Sequence, residues 1–193
     1  LAAIVGSHDI ANAEAAVLGH FQRNGTAFAV RSGIMMLTKD GTITFSEKVA
    51  FAKSGAPIYV DYAHTPDGLR AAIAALRPHT KGKLITVFGA GGDRDTGKRP
   101  EMGAVAMADS DIVIVTDDNP RSEDPSLIRA DVMAGAKGAH EIGDRRYAIA
   151  FAIEHAEPDD IVLIAGKGHE QGQIIMGRVL PFDDVEVARE CAA

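Results

Sequence analysis

From residue 57 onward, short β-branched runs alternate with amphipathic stretches of helix length. Ile58–Val60, Leu84–Phe88, Asp111–Thr116 and Asp160–Ile164 are apolar at most positions. That is the signature of strands buried on both faces of a sheet. Between them the spacing predicts helices over about Pro66–Leu76, Pro100–Ala108, Pro125–Ala136 and Arg145–Glu154. Thr65 is placed as an N-cap, with Pro at the first turn behind it. Gln173–Met176 and a terminal helix over Val185–Cys191 close the chain. Alternating strands and helices predict an α/β fold, a doubly wound, mostly parallel sheet with helices on both faces.

Residues 1–55 read differently. Asp9–Phe21 is Ala-rich with helical spacing, and Phe28–Arg31 and Ile34–Leu37 are strand-like. Lys39-Asp40-Gly41-Thr42 is a hairpin turn leading into Ile43-Thr44-Phe45. Lys53-Ser54-Gly55-Ala56-Pro57 then marks a boundary. The expected organisation is a partial or accessory helix-plus-hairpin segment over 1–55 and an α/β domain over 56–193. His8 and His20 have no partners in sequence and are read as structural or surface residues.

Bulk composition narrows the function class. With 193 residues and 46% hydrophobic content, the chain can bury a core. A net charge of −7 argues against nucleic-acid binding. The single cysteine, Cys191, leaves no disulfide framework and no cysteine metal site, so a reducing, cytoplasmic setting is expected. No run approaches the roughly 18 apolar residues of a bilayer span, so no membrane insertion is expected. The chain opens on Leu1, which leads us to expect a processed, trimmed or partial chain.

The chemistry sits after the strands. Four polar clusters follow them: Asp61–Asp67, Gly89–Arg99, Asp117–Arg121 and Gly166–Glu170. Ligands of open α/β sheets bind beyond the carboxyl ends of the strands, so the four are expected to converge. In Thr116-Asp117-Asp118-Asn119-Pro120-Arg121 the rigid Pro presents the amide and guanidinium from a stiff turn. The plain alternative is an Asx-type turn that caps the next helix. Gly89-Ala90-Gly91-Gly92 permits close backbone approach to a ligand, with Arg94, Lys98 and Arg99 as a cationic rim. Lys98 and Arg99 also suit a merely solvated charge run. Two guanidiniums (Arg94, Arg121), one amide (Asn119) and two acids (Asp118, Glu170) complement a zwitterion, because guanidinium forks hold carboxylates and acids hold ammonium groups. An amino acid charged at both ends is the expected ligand.

In order, Asp61-Tyr62-Ala63-His64-Thr65-Pro66-Asp67, Gly91–Pro100, Asp118-Asn119-Pro120-Arg121 and Ala165-Gly166-Lys167-Gly168-His169-Glu170 resemble the C-terminal, Rossmann-like domain of the Mur ligases, over about residues 57–190. The Asp-Asn-Pro-Arg stretch is similar to that of the members using meso-diaminopimelate rather than lysine. The resemblance implies ATP-dependent amide ligation in peptidoglycan synthesis. The γ-carboxylate of D-glutamate in UDP-MurNAc-L-Ala-D-Glu becomes an acyl phosphate, which the diaminopimelate amine attacks. It further implies ATP and Mg2+ as cofactors, and a diaminopimelate pocket of Arg94, Asp118, Asn119, Arg121, Gly166 and Glu170. Arg121 would discriminate diaminopimelate, whose second carboxylate lysine lacks. Asp61 and His64 match the nucleotide-contacting stretch, Asp61 toward a ribose hydroxyl. The other reading of His64 is a residue capping or bracing the first helix.

The full family pattern includes a central ATPase with a Gly-Lys-Thr/Ser loop. Gly97-Lys98-Arg99 and Gly166-Lys167-Gly168 lack the hydroxyl and the spacing of that loop. Gly6–Ala13 resembles only an Asn-Ala helix near the end of that central domain. This chain alone is therefore expected to turn over no substrate and to carry no catalytic or metal-ligating residue. Three readings stay open: the amino-acid-binding part of a diaminopimelate-adding ligase, a stand-alone non-catalytic module binding diaminopimelate or a nucleotide, and a partial ligase served by a separate ATPase chain.

Overall fold

A computed structural model describes residues 26–30, 33–37 and 43–193. The helix expected over Asp9–Phe21, with His8, His20 and the 6–13 stretch, lies outside the described residues. An eight-stranded sheet runs in the order β1 (Thr26–Val30), β2 (Gly33–Leu37), β3 (Ile43–Phe51), β4 (Pro57–Asp61), β8 (Ile161–Ala165), β5 (Leu84–Phe88), β6 (Ile112–Val115), β7 (His140–Glu141). Strands β4, β8, β5, β6 and β7 pair in parallel, and β1, β2 and β3 extend the β4 edge antiparallel. Strands β4, β5, β6 and β8 are those the alternating pattern predicts, and the two-residue β7 is an addition to it.

The α-helices among the described residues are α1 (Pro66–Leu76), α2 (Lys98–Asp109), α3 (Pro125–Gly135), α4 (Arg145–Glu154) and α5 (Asp184–Ala192). Thr65 caps α1, its hydroxyl accepting from Gly68 N at 3.1 Å, and Asp124, Asp144 and Asp183 cap α3, α4 and α5 in the same way. Successive strand residues face opposite sides. Leu84 and Phe88 pack with Leu69, Ile73, Met102, Val105, Ile128 and Val132 of α1, α2 and α3. Ile85 and Val87 pack with Ile149, Ile153 and Val187 of α4 and α5. Each such buried aliphatic contributes about 1.5–3 kcal/mol relative to exposure, so the two layers anchor both faces.

One sequence expectation changes here. The strand expected over Ile43–Phe45 continues to Phe51, through a bulge between Lys48 and Ala50 that breaks its alternation. The Lys53–Pro57 stretch is a tight turn in which Ala52 N donates to Ala56 O at 2.8 Å. The strands it joins are paired, so the sheet runs without interruption across it. A second, two-stranded sheet pairs β9 (Gly172–Ile175) with β10 (Arg178–Pro181). Residues Asp61 and Ala165, Val87 and Ile164, and Phe88 and Val115 are register partners. The parallel strands therefore end level, and the four loops that leave them share one edge.

Candidate functional site

The loop after β6 is held at its centre. Asn119 is buried, and its amide oxygen accepts from Ile174 N at 2.9 Å and Lys167 Nζ at 3.0 Å. Its amide NH2 donates to Glu170 Oε2 at 2.9 Å. Because Lys167 and Ile174 N can only donate, the amide has one orientation here. Lys167 itself is wholly buried, with Glu170 Oε2 at 3.2 Å and Asp118 Oδ1 at 3.6 Å. The loops after β6 and β8 thus meet around one ammonium group. Burial pushes the Glu170 carboxyl up, but the Asn119 and Lys167 hydrogen bonds and the charges of Lys167 and Arg121 outweigh it and hold the group below its usual range.

Arg121 follows Pro120 with φ +56°, a left-handed backbone that a bulky residue adopts only when surroundings fix it. Its N–H donates to Ile174 O at 2.8 Å, and its carbonyl accepts from Met176 N at 2.6 Å, so β9 supplies that fixing. Its Nη1 donates to Gly92 O at 2.7 Å, which lays the guanidinium against the Gly-rich loop. A Cβ at Gly91 would stand 2.7 Å from Arg121 Nη1 and 3.8 Å from Arg94 Cγ, so the two arginines flank this glycine and a side chain here would push the Arg121 guanidinium aside. Arg94 is exposed, with one bond to its neighbour's carbonyl, Asp93 O, at 3.2 Å. The remaining N–H groups of both guanidiniums have no partner among the described residues.

Arg99 overturns its reading as solvated charge. It is 3% exposed; Nη2 lies 2.8 and 2.9 Å from the two Glu123 oxygens and 3.3 Å from Gly91 O, and Nη1 lies 3.0 Å from Asp131. The Asp93 carboxylate accepts from the Ser122 hydroxyl at 2.5 Å and from Ser122 N at 3.3 Å, and Gly92 N donates to Asn119 O at 2.9 Å. The Arg94 loop is therefore clamped onto the Arg121 loop. Lys98, by contrast, is exposed, 4.0 Å from Asp95.

Asp118 is buried against Lys167, and Gly166 lies beside it at φ +119°, where a Cβ would stand 2.8 Å from Asp118 Oδ2. Beneath them Arg145 and Asp184 form a fully buried ion pair, and Arg145 Nη2 also donates to Ala165 O at 3.0 Å. Asp61, on the β4 side, is buried, accepting from Ser46 Oγ at 2.7 Å and Ala63 N at 2.9 Å. Burial pushes its carboxyl up to about 6, against those hydrogen bonds. Both of its oxygens are engaged inside the protein. His64 is exposed and stands edge-on to Tyr62, and its Nδ1 lies 2.9 Å from the Tyr62 carbonyl, which assigns the proton to Nδ1. It does not cap α1; Thr65 does. Tyr62 reaches across to Glu170, its hydroxyl 3.5 Å from Oε1.

The expected residues thus form one group of Asp118, Asn119, Gly166 and Glu170 around Lys167, with Arg121 and Arg94 at its Gly91 side and Asp61 and His64 across Tyr62. The sequence reading did not give Lys167 its central place, nor Arg99 its clamp. Among the described residues no three His, Cys, Asp or Glu side chains gather as a metal-holding group.

The level strand ends thus carry the Gly-rich, Asn-Pro-Arg and Gly-Lys-Gly loops on one edge. Residues 47–168 match the model of the Mur ligase, glutamate ligase domain, and the chain belongs to that family. It is 66% identical over 148 residues to the UDP-N-acetylmuramoyl-L-alanyl-D-glutamate–2,6-diaminopimelate ligase of Zymomonas mobilis, covering 75% of this chain and 30% of that protein. It is 48% identical over 192 residues to the Brucella melitensis ligase of the same name, covering 98% of this chain and 39% of that protein. A solved structure of a ligase with that name superposes with a TM-score of 0.70 at 35% identity, covering 83% of this chain and 42% of that one. The chain therefore spans well under half the length of these relatives.

Proposed function

We propose that this chain is the acceptor-binding part of an ATP-dependent ligase that adds meso-diaminopimelate to UDP-MurNAc-L-Ala-D-Glu through an acyl phosphate. The observation that carries this reading is the placing of Arg121 and Arg94 at Gly91, beside an Asn119–Glu170 pair, on the edge where four strands end. A planar guanidinium with free N–H groups takes a carboxylate bidentately, and Glu170 takes an ammonium group. An acceptor with an amine and a carboxylate at each end satisfies both, whereas lysine leaves one guanidinium unmatched. The names of the relatives favour the same acceptor.

This chain's contribution is positioning. Holding the acceptor by its far end aims the near amine at the donor carbonyl and converts a bimolecular encounter into an oriented one. Glu170, kept ionised by its donors, holds the far ammonium group away from the reaction. In a longer ligase, ATP would supply the phosphoryl group that activates the donor carboxylate. The described residues do not fit as its phosphate and Mg2+ site, since they offer neither a metal-holding cluster nor a Gly-Lys-Thr/Ser loop. Those elements are assigned to other parts of a longer ligase. A stand-alone diaminopimelate-binding module would use the same edge without turnover.

In the full-length ligase, Arg121→Ala is expected to raise KM for meso-diaminopimelate by about 100-fold, the loss of one charged, bidentate contact. The KM for the nucleotide dipeptide is expected to stay unchanged. A variant whose KM for both substrates matches that of the parent would sink this assignment.

A further inference from the structure

Among the described residues, Lys167 is the one side chain that touches both acids and the amide of the acceptor edge, and nothing in the charge argument for a zwitterion requires it. Its side chain is 0% exposed, an environment that an ammonium group tolerates only with partners. Those partners are Asn119 Oδ1 at 3.0 Å, Glu170 Oε2 at 3.2 Å and Asp118 Oδ1 at 3.6 Å. The three acceptors come from two loops that leave different strands.

We infer that Lys167 is a positioning residue of the acceptor site, a built-in counter-ion that fixes which atoms of Asn119 and Glu170 are left for the ligand. Two consequences follow from atom-by-atom accounting. The ammonium group on Asn119 Oδ1 forces the amide NH2 toward Glu170. Glu170 Oε2 is then taken by both Lys167 and Asn119, and Oε1 is the oxygen that remains, its one hydrogen-bond partner among the described residues being the Tyr62 hydroxyl at 3.5 Å. Without Lys167, two carboxylates from adjoining loops would face each other with no cation between them, and like charges in a shared site raise one pKa. Glu170 would keep only the Asn119 hydrogen bond and the Arg121 charge against its burial, so its carboxyl would rise from the lowered range in which it holds an ammonium group best. This role rests on the acceptor-site reading for its benefit to the ligand, but the geometry it asserts exists without any ligand.

The test separates the two. In the full chain, carboxyl-carbon NMR follows the titration of Glu170, and ammonium-nitrogen NMR follows Lys167. The groups facing Glu170 are Lys167, Arg121 and Tyr62 at the edge, with Arg145 and Asp118 beneath. In the unaltered chain, the Lys167 nitrogen signal is expected to move in step with Glu170 protonation. In Lys167→Met, with the fold checked by circular dichroism, Glu170 is expected to titrate at higher pH, and Lys167→Arg to restore part of the shift. The affinity for meso-diaminopimelate is expected to fall about tenfold in Lys167→Met, in line with losing a charged hydrogen-bond partner. A Lys167 signal blind to the Glu170 step, or a Glu170 titration unmoved in a folded Lys167→Met, overturns the inference. If the unaltered chain binds no meso-diaminopimelate, the acceptor-site reading fails for this chain while the two NMR titrations still decide the role of Lys167.

Discussion

Replacing Asp184 by Ala is expected to be among the most damaging single changes outside the acceptor edge. Arg145 and Asp184 are both 0% exposed as side chains, joined by Nε to Oδ1 at 2.8 Å and Nη2 to Oδ2 at 2.7 Å. The guanidinium also donates to Ala165 O at 3.0 Å and Asp117 O at 3.4 Å. It ties α4 and α5 to the ends of β6 and β8, directly below Asp118 and Gly166. Asp184→Ala leaves a buried guanidinium with two carbonyls and no counter-charge, a change that costs about 3–5 kcal/mol. Against a total stability of about 5–15 kcal/mol for a domain, that is a large fraction. Urea unfolding should show a lower midpoint with an unchanged slope. Because the pair is buried, the loss should be nearly the same at low and high salt. The double variant Arg145→Met, Asp184→Leu removes both charges and leaves only the two carbonyls unpaired, at about 1 kcal/mol each, so it should recover part of the loss. A single-variant cost below about 1 kcal/mol, or a double variant no better than the single, would refute the view that this pair braces the strand ends.

Asp61 gives a pH test. Its folded pKa of about 6 lies above the ordinary carboxylate value near 4, so the folded state binds the proton more tightly than the unfolded chain. Its contribution to stability therefore falls as pH rises from about 4 to 6 and stays low above that, a total of roughly 3 kcal/mol. Asp61→Asn should be more stable than the parent at pH 8, with the difference shrinking to near zero at pH 4, as read by urea midpoints across that range. Arg99→Met should cost about 1–3 kcal/mol in the same assay, and Arg99→Lys should restore little, since a point charge cannot bridge Glu123, Asp131 and Gly91 O together. A fully restoring Lys would mean that charge alone, without the fork, holds the Arg94 loop.

What the sequence makes legible follows from how local the determining forces are. Helix α1 is readable because Thr65, Pro66 and the Leu69–Ile73–Leu76 spacing agree within twelve residues. Strand β8 is readable because all five of its residues are buried, which leaves an unbroken apolar run. Strand β3 hides beyond Phe45 because its bulge breaks the alternation and exposes Lys48. Strand β10 hides because its four residues are all exposed and only its pairing with β9 makes it a strand. The site divides in the same way. Arg121, Asn119 and Glu170 announce themselves as polar residues at strand ends. Lys167 stands between two glycines with nothing adjacent in sequence to mark its burial, because the Asn119 and Asp118 that close over it lie some fifty residues away. Arg99 is concealed likewise, since its neighbours Lys98 and Glu101 are exposed and its partners Glu123 and Asp131 lie in the next loop and helix.

The central claim, an amino-acid acceptor site on the shared strand-end edge, is tested most directly by calorimetric titration of this chain with meso-diaminopimelate and, separately, with L-lysine, for the parent and for Arg121→Ala. The account predicts that meso-diaminopimelate binds and lysine does not, and that Arg121→Ala abolishes the difference. Lysine binding as tightly as meso-diaminopimelate, or Arg121→Ala binding like the parent, would contradict it.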